Sequence, residues 1–341
     1  YWSAATELMK QICAESIELY RNLSAELESD TQFRDVDLLL TIAPDADPDA
    51  IAALYANCLI PPKPIDRETA CELEPLLSRG AIVAALHNRH GHVEPELTTK
   101  AYIQAMLRLG GTIQTGDVVK FTRSVDRVQG VTTTEGESYT AAHVVVCAGG
   151  FSRKLLQTCG ITVPCYYTQA ELIETPPVEM QLQSLVMPAG LKRFALEAEA
   201  GRLEAAPLWD EPDREVAPAI LDAGVVQFLD RRLRIGQISR TLADLTASGD
   251  AAQSEAELRA GIGQILPTLQ DLPGTWASCL VAFSGDRLPL IGAVPFTEGL
   301  YLFSGFSNPF AILPPLARRF AGHLAGQEDD IIPQLSPQRF V

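Results

Sequence analysis

Three histidines lie close together in a polar segment of the sequence. His87, His90 and His92 belong to the run HNRHGH. Imidazole is the commonest metal ligand among side chains, so a metal site is one interpretation of this cluster. No cysteine or aspartate at metal-ligand spacing completes such a site, and the run is typical of a turn. We therefore expect a solvated loop without a metal ion, from which His92 or Arg89 could face a substrate.

Three arginines form a second group, in the run DRRLRIGQIS. If this run is a strand, Arg232 and Arg234 lie on one face and Arg231 on the other. A guanidinium on an inward face can bind a carboxylate through two parallel hydrogen bonds, and Arg232 is our candidate for that role. The alternative is a solvated hairpin edge, which is the interpretation that the sequence favours.

The number and spacing of the cysteines favour reduced thiols in a reducing compartment. The seven cysteines are Cys13, Cys58, Cys71, Cys147, Cys159, Cys165 and Cys279. Their number is odd and no C-x-x-C pair occurs, which excludes a disulfide framework and a zinc ribbon. We predict reduced thiols and a cytoplasmic protein. Free cysteine usually behaves as a small buried apolar residue, and we expect this of Cys147 within VVVCAGG.

Charge and length restrict the classes of function. The chain has 341 residues with 27 Lys and Arg against 43 Asp and Glu, a net charge of −16. Such a chain is unsuited to nucleic acid or to an anionic membrane surface, since both need positive charge. No run approaches the ~18 consecutive apolar residues of a membrane-spanning helix. The length predicts about two domains.

The elements that must position these residues follow from apolar periodicity. Helices are predicted at 1–29, 50–58, 67–74, 96–109, 254–265 and 314–325, the last beginning at its two prolines. Strands are predicted at 36–42, 80–86, 112–124, 127–136, 138–150, 165–175, 224–230, 232–239 and 300–304. The wholly apolar run VVVCA predicts a strand buried on both faces, as in a parallel sheet.

Two glycine-containing stretches follow predicted strands. In the first, Ala148-Gly149-Gly150 ends a buried strand, where the lack of side chains lets the backbone approach a ligand closely. The second, at 285–306, places Asp286, a proline and Gly292 at fixed offsets before a strand that ends in Gly305-Phe306. A helix then closes the chain.

In these stretches the sequence resembles the D-amino-acid oxidase-like flavoproteins, the group that contains glycine oxidase and monomeric sarcosine oxidase. The matching segments are Cys147–Ser152, Asp286–Gly292, Gly305–Ser307, and GHVEP at 91–95 before a helix. Their order and spacing hold over essentially the whole chain.

The resemblance implies an α/β (α+β) fold with two domains. A discontinuous, Rossmann-like FAD-binding domain would comprise residues 1–30, 90–160 and 278–341. A substrate domain with a large antiparallel sheet over the flavin would comprise residues 31–89 and 161–277.

The same resemblance implies FAD as cofactor and an oxidoreductase that acts on C–N bonds. An amine or amino-acid-like substrate would transfer a hydride to the flavin. The implied cofactor contacts are Val118, Cys147, Ala148, Gly149, Gly150, Gly292, Gly305, Phe306, Ser307 and Asn308. Phe306 would also lie at the reacting site. Cys279 has the offset of the cysteine that bonds covalently to flavin in the sarcosine-oxidase branch, although a small buried residue is the interpretation that we favour.

One family motif is absent from the sequence. No strand–GxGxxG–helix occurs, nor the acidic residue ~20 positions later that binds ribose. Tyr1 would align just after that unit. We therefore expect the dinucleotide-binding loop to come from an upstream segment or from a partner chain. The alternative function is a non-catalytic or split flavoprotein-like scaffold that has lost FAD or needs a partner to bind it.

The substrate region also departs from the family pattern. Pro309 and Phe310 replace a glycine-rich turn, and Val281 and Ile312 stand where the family has a cation for the substrate carboxylate. The aromatic side chains expected at the site are Phe283, Phe306 and Phe310. They favour a less polar amine or an unusual acid.

Overall fold

The computed structural model describes residues 2–125, 127–247 and 249–341, which form eight α-helices and fourteen β-strands. Tyr1 lies outside the described residues. The helices are α1 (Glu7–Glu26), α2 (Pro48–Leu54), α3 (Arg67–Leu73), α4 (Pro95–Arg108), α5 (Ser152–Gln157), α6 (Lys192–Ala200), α7 (Ala251–Ile265) and α8 (Pro309–Leu324). The strands are β1 (Arg34–Ile42), β2 (Lys63–Asp66), β3 (Ala84–His92), β4 (Val118–Ser124), β5 (Arg127–Thr133), β6 (Ser138–Thr140), β7 (Val144–Val146), β8 (Cys165–Glu174), β9 (Ser184–Pro188), β10 (Ile220–Gln227), β11 (Leu233–Arg240), β12 (Thr275–Ser284), β13 (Leu290–Ala293) and β14 (Leu300–Ser304).

Eight strands form one large sheet, in the order β12-β8-β11-β10-β9-β1-β3-β2. Every neighbouring pair is antiparallel except β1 and β9, which run parallel. The sheet is therefore mixed, where the sequence predicts an antiparallel one. Strand β9 has only five residues, and no hairpin joins it to β1, so chain connectivity leaves its direction free.

The strand register gives this sheet two different faces, since directly paired residues share a face and successive residues alternate. Val186 pairs with Leu39 and Val225, and their face is covered by Leu258 and Ile262 of α7. The opposite face, which we call the inner face, carries Arg34, Val36, Leu185, Val226, Arg234, Thr168 and Cys279. The inner face is the side of interest for function.

A second layer contains the three-stranded sheet β13-β14-β7, in which β14 and β7 are parallel. Helices α1 and α8 pack together against it, and Arg319 Nη2 of α8 lies 2.6 Å from Glu15 Oε1 of α1. Within the described ranges, β7 has no strand partner on its second edge. Strands β4, β5 and β6 form a separate sheet, tied to the chain before β14 because Val128 N–H donates to the Glu298 carbonyl (2.8 Å).

The histidine segment is not a turn. Residues 84–92, including HNRHGH, form β3 and pair along their whole length with β1. The pairing satisfies the backbone groups of a segment whose polar side chains suggest a loop. The sequence pattern alone does not predict that this segment pairs with β1.

Two further expectations are corrected by the structure. Helix α8 begins at Pro309, where a missing N–H and a fixed φ suit the first helical position, so Pro314 and Pro315 lie inside it. Cys147 is exposed, because β7 ends at Val146 and the chain then turns away.

Candidate functional site

The parallel strands β7 and β14 end side by side, and ligands of open α/β sheets bind outside such carboxyl ends. We call this place the β7/β14 edge, formed by residues 148–150 and 305–308. Ser304 Oγ donates to the Gly149 carbonyl (3.2 Å) and accepts from Ser152 Oγ (2.9 Å), which holds the two strand ends together. The ends of the two strands therefore keep a fixed position relative to each other.

Two left-handed glycines shape this edge, and Gly149 opens it to a ligand, whereas a Cβ at Gly305 would lie 3.5 Å from Leu290. Gly149 has φ +53° and Gly305 has φ +76°, conformations that favour glycine. A Cβ at Gly149 would meet no heavy atom within 4 Å outside its chain neighbours, so a ligand can approach the backbone here. Asn308 is exposed and lies at the N-cap position of α8, where its side chain forms no capping hydrogen bond, and the N-terminus of α8 lies at the edge.

A buried carboxylate anchors the loop after β14. Glu197 of α6 is fully buried and accepts hydrogen bonds from Ser307 Oγ and from Arg193 Nε (2.9 Å). Arg193 also donates to the Ser307 carbonyl and, over 3.2 Å, to Ser307 Oγ. The Thr168 hydroxyl of the inner face lies 3.5 Å from Glu197. These bonds join the β7/β14 edge to the inner face of the large sheet.

Cys279 lies on the inner face with an exposed side chain, which the sequence does not lead us to expect. Partial burial of the thiol raises its pKa, and the charges of Arg234 and Arg193 act in the opposite direction. The thiol is therefore protonated at neutral pH. The charge of Arg193, which anchors the loop after β14, acts on it.

The other predicted cofactor contacts differ in how closely they are packed and in where they lie. Gly150 packs tightly, since a Cβ there would lie 3.1 Å from side-chain atoms of Leu280 and Tyr167. Gly292 faces the C-terminal segment, where a Cβ would lie 3.6 Å from Ser336. Val118 begins β4 in the separate three-stranded sheet. The structure brings together Ala148, Gly149, Gly150, Gly305 and Ser307, and it leaves Gly292 and Val118 outside this group.

The aromatic lining expected from the sequence does not form. The ring of Phe306 is buried and packs 4.9 Å from that of Phe303, within the apolar cluster under α1 and α8. Phe283 is fully buried beside Trp209, and Phe310 packs in the cluster of Tyr20. Phe306 therefore reaches the edge through its backbone, and these three rings do not make the site apolar.

Arg232 is engaged by carboxylates. Its guanidinium lies 2.5 Å from Glu174, 2.6 Å from Asp230 and 3.6 Å from Glu94, and 5.3 Å from the centre of the Phe228 ring. Hydrogen bonding to Asp230 is the main cause that raises the Arg232 pKa. A substrate carboxylate would have to displace one of these partners.

Two histidines of β3 share the inner face with Arg34 and Val36, to which they are paired. Burial lowers the pKa of His90 to about 3, and its Nδ1 accepts from Trp2 Nε1 (3.0 Å). Burial, together with the charges of Arg34 and Arg234, lowers the pKa of His92 to about 4. Both rings are neutral at physiological pH, and His92 packs 5.3 Å from the Phe228 ring.

Sequence reasoning missed Arg193, Glu197 and Arg34. The first two belong to α6, and no motif marks them. Their i, i+4 spacing is the available signal, since an Arg and a Glu four residues apart share a helix face. In the part of the chain that the structure describes, no group of three or more His, Cys, Asp or Glu side chains could hold a metal ion. In those same residues no helix is long and apolar enough to cross a membrane.

Comparison with known proteins shows what the chain is similar to. Residues 1–322 match the family described as DAO, FAD dependent oxidoreductase. Glycine oxidase of Pseudomonas putida is 28% identical over 219 residues, which are 63% of this chain and 50% of the relative. The chain thus spans about half the length of the curated relatives that it matches.

Solved structures show the same fold. Glycine oxidase from Geobacillus kaustophilus superposes with a TM-score of 0.78 at 18% identity, over 99% of this chain and 85% of the other. L-proline dehydrogenase from P. horikoshii gives a TM-score of 0.76 at 18% identity, over 100% and 85%. The predicted Rossmann-like α/β architecture is confirmed. Since the family match covers residues 1–322, the chain belongs to the DAO family of FAD-dependent oxidoreductases.

Proposed function

We propose that this chain forms the body of an FAD-dependent oxidoreductase that oxidises the C–N bond of an amine or amino-acid-like substrate. The observation that carries the proposal is the β7/β14 edge, where left-handed Gly149 leaves the backbone open beside the inner face of the large sheet and left-handed Gly305 shapes the turn after β14. Ligands of open α/β sheets bind outside the carboxyl ends of the strands, and the family to which the chain belongs is FAD-dependent.

The residues at the edge fit a flavin. The backbone of Ala148, Gly149 and Gly150 would contact the cofactor on one side, and Gly305–Asn308 on the other. A Cβ at Gly149 would occupy the space that a ligand needs, which supports this assignment. Glu197 and Arg193 would keep Ser307 in place whether or not the cofactor is bound.

Bound FAD supplies the acceptor for the hydride that leaves the substrate carbon. The chain's own contribution is to orient the substrate between the anchored loop and the inner face and to exclude water. Cys279 lies on that face, and Arg193 and Arg234 set the local charge. No side chain is needed as a base for this reaction, and the neutral histidines of β3 are consistent with that. The P. putida relative is a glycine oxidase, which supports an amino-acid-like substrate.

We propose that a polypeptide segment with the GxGxxG motif completes the site, either from the same chain or from a partner. One support is the second edge of β7, which has no strand partner among the residues described. Another is an apolar stripe on α4, where Tyr102, Ile103, Met106 and Leu107 are 38–46% exposed at helical spacing. Such a stripe normally packs against another element.

We also propose a reducing compartment such as the cytoplasm. All seven cysteines are free thiols in the structure, which supports this localisation.

The test is an absorbance spectrum of the purified protein in the flavin region, followed by reconstitution with FAD. We expect flavin bands, and a loss of at least tenfold in FAD affinity in Gly149→Val, because a side chain would fill the open space. Gly136→Val is the matched control, since Gly136 is also left-handed (φ +85°), a Cβ there also meets nothing within 4 Å, and the residue lies between β5 and β6 of the separate three-stranded sheet. A colourless protein that takes up no FAD, alone or with a GxGxxG partner segment, would favour a scaffold that has lost the cofactor. Acid precipitation of the same sample shows whether Cys279 holds flavin covalently.

A further inference from the structure

A small cavity at one end of the inner face is not part of the β7/β14 edge. Its volume is about 260 Å³, and it is lined by the beginning of β1, the segment before β9 and the β10–β11 connection. Its apolar floor consists of Val36, Leu185, Val226 and Phe228, and Gln181, Gln183, Ser184 and Gln227 add polar groups to the lining. The volume is slightly below the roughly 300–1,000 Å³ of typical small-molecule sites, so only a small ligand fits.

Two guanidinium groups line the same cavity. Arg34 is half-buried and donates to the Gln227 carbonyl, while Arg231 is exposed and donates to the Glu179 carbonyl (3.1 Å). Neither arginine forms an ion pair with any carboxylate of the described residues, and no acidic residue lines the cavity. The chain has a net charge of −16, yet these two cations in one cavity are not neutralised by its carboxylates. An anionic ligand would supply the missing negative charge.

The surroundings of Arg34 support this. Partial burial is the cause that lowers the pKa of Arg34. Its neighbours on the inner face are neutral His92 and the aromatic ring of Phe228, so the wall behind it adds no negative charge. By contrast, nearby Arg232 and Arg234 are both paired with Glu174.

We propose that this cavity binds a small carboxylic acid with an apolar body, its carboxylate on Arg34 and its body on the apolar floor. A guanidinium fork matches a carboxylate through two parallel hydrogen bonds. A singly charged carboxylate also costs less to remove from water than a doubly charged phosphate ester. Arg231 closes the exposed side of the cavity and adds a weaker, screened attraction.

The proposal is tested by calorimetric titration of the purified 341-residue protein with hexanoate, hexylamine, hexanol and hexyl phosphate. Hexanoate should bind at least tenfold more tightly than each of the others. Shortening the acid stepwise to acetate should weaken binding by up to roughly fourfold per methylene, because each methylene loses contact with the floor. Equal binding of hexylamine, or tighter binding of hexyl phosphate, would overturn the assignment.

Variants locate the site. Arg34→Gln should weaken hexanoate binding at least tenfold, Arg34→Lys less, and Arg231→Gln by a few-fold. Arg21→Gln is the control, because Arg21 is exposed on α1 and pairs with Glu18. A circular dichroism spectrum and melting temperature like those of the native protein show that each variant is folded. Unchanged hexanoate affinity in folded Arg34→Gln would contradict the proposal. The titration needs no FAD, so its failure leaves the proposed oxidoreductase function untouched.

Discussion

At the scale of single residues, a carboxylate without contact to water holds the loop that follows β14. Glu197 accepts from Ser307, Arg193 and Thr168, three residues that lie far apart in the sequence. A buried charge of this kind is tolerated because hydrogen-bond partners surround it. Removing the carboxylate leaves the charge of Arg193 uncompensated. Glu197 is therefore a positioning residue for the β7/β14 edge.

We expect Glu197→Gln to destabilise the protein by about 3 kcal/mol, because Arg193 then keeps a largely buried charge without its carboxylate. FAD affinity should also fall, since Ser307 loses its acceptor. Urea unfolding measures the first effect and flavin titration the second. Glu199→Gln, an exposed position on the same helix, is the control. A free energy of unfolding within ~0.5 kcal/mol of the native protein would show that Glu197 does not anchor the loop.

At the scale of elements, the C-terminal segment is fastened to the connection between β12 and β13. Arg339 donates to both carboxylate oxygens of Asp286 (2.8 and 2.9 Å) and to the Leu288 carbonyl (2.9 Å). Asp286 also accepts from Ser284 Oγ and the Leu288 N–H. The aspartate of the D-x-x-P-x-x-G segment thus has a structural role here.

This fastening makes stability depend on pH. Partial burial alone would raise the pKa of Asp286, but hydrogen bonds and charge from Arg339, with the Leu288 N–H, lower it below its usual range. Because the folded pKa is lower than the unfolded value of about 4, the stabilisation is complete above that value and is lost as pH falls through the folded pKa.

We expect Asp286→Asn to lower stability at pH 7 by about 1 kcal/mol, a small value because the carboxylate is about one-third exposed. The difference from the native protein should shrink as the pH falls below about 4 and the carboxylate is protonated. Melting temperatures measured from pH 7 to pH 2 check this, with exposed, cap-forming Asp250→Asn as comparison. A difference that stays constant with pH would show that the carboxylate's charge plays no part.

At the scale of the whole molecule, apolar surface and an open strand edge lie on a strongly acidic chain. The α4 stripe of Tyr102, Ile103, Met106 and Leu107 faces solvent, while the opposite face of α4 packs on α1 through Ala101. An exposed apolar stripe promotes association between copies of a chain. The repulsion between their net negative charges opposes it.

We expect the 341-residue chain alone to self-associate at high salt, where its net negative charge is screened. Leu107→Lys should shift it towards monomer by placing a charge within the stripe. Sedimentation velocity measures both states. Leu203→Lys is the matched control, since Leu203 is 85% exposed elsewhere on the surface. If the native chain stays monomeric at high salt, the α4 stripe does not drive association and the expectation is wrong.

The sequence by itself determined the local elements and the motifs. Periodicity predicts α4 and β8 within one or two residues, and the glycines after β7 predict an open backbone at Gly149, because these features depend on neighbours in the chain. The motifs also predict the family, which the match over residues 1–322 confirms.

Only the tertiary structure decided which side chains meet. It placed α6 so that Glu197 reaches Ser307, inserted β9 beside β1, surrounded Arg232 with carboxylates and turned the ring of Phe306 into the core. Each outcome joins segments that are tens to hundreds of residues apart. Such contacts follow from the packing of whole layers, and local periodicity carries no information about them.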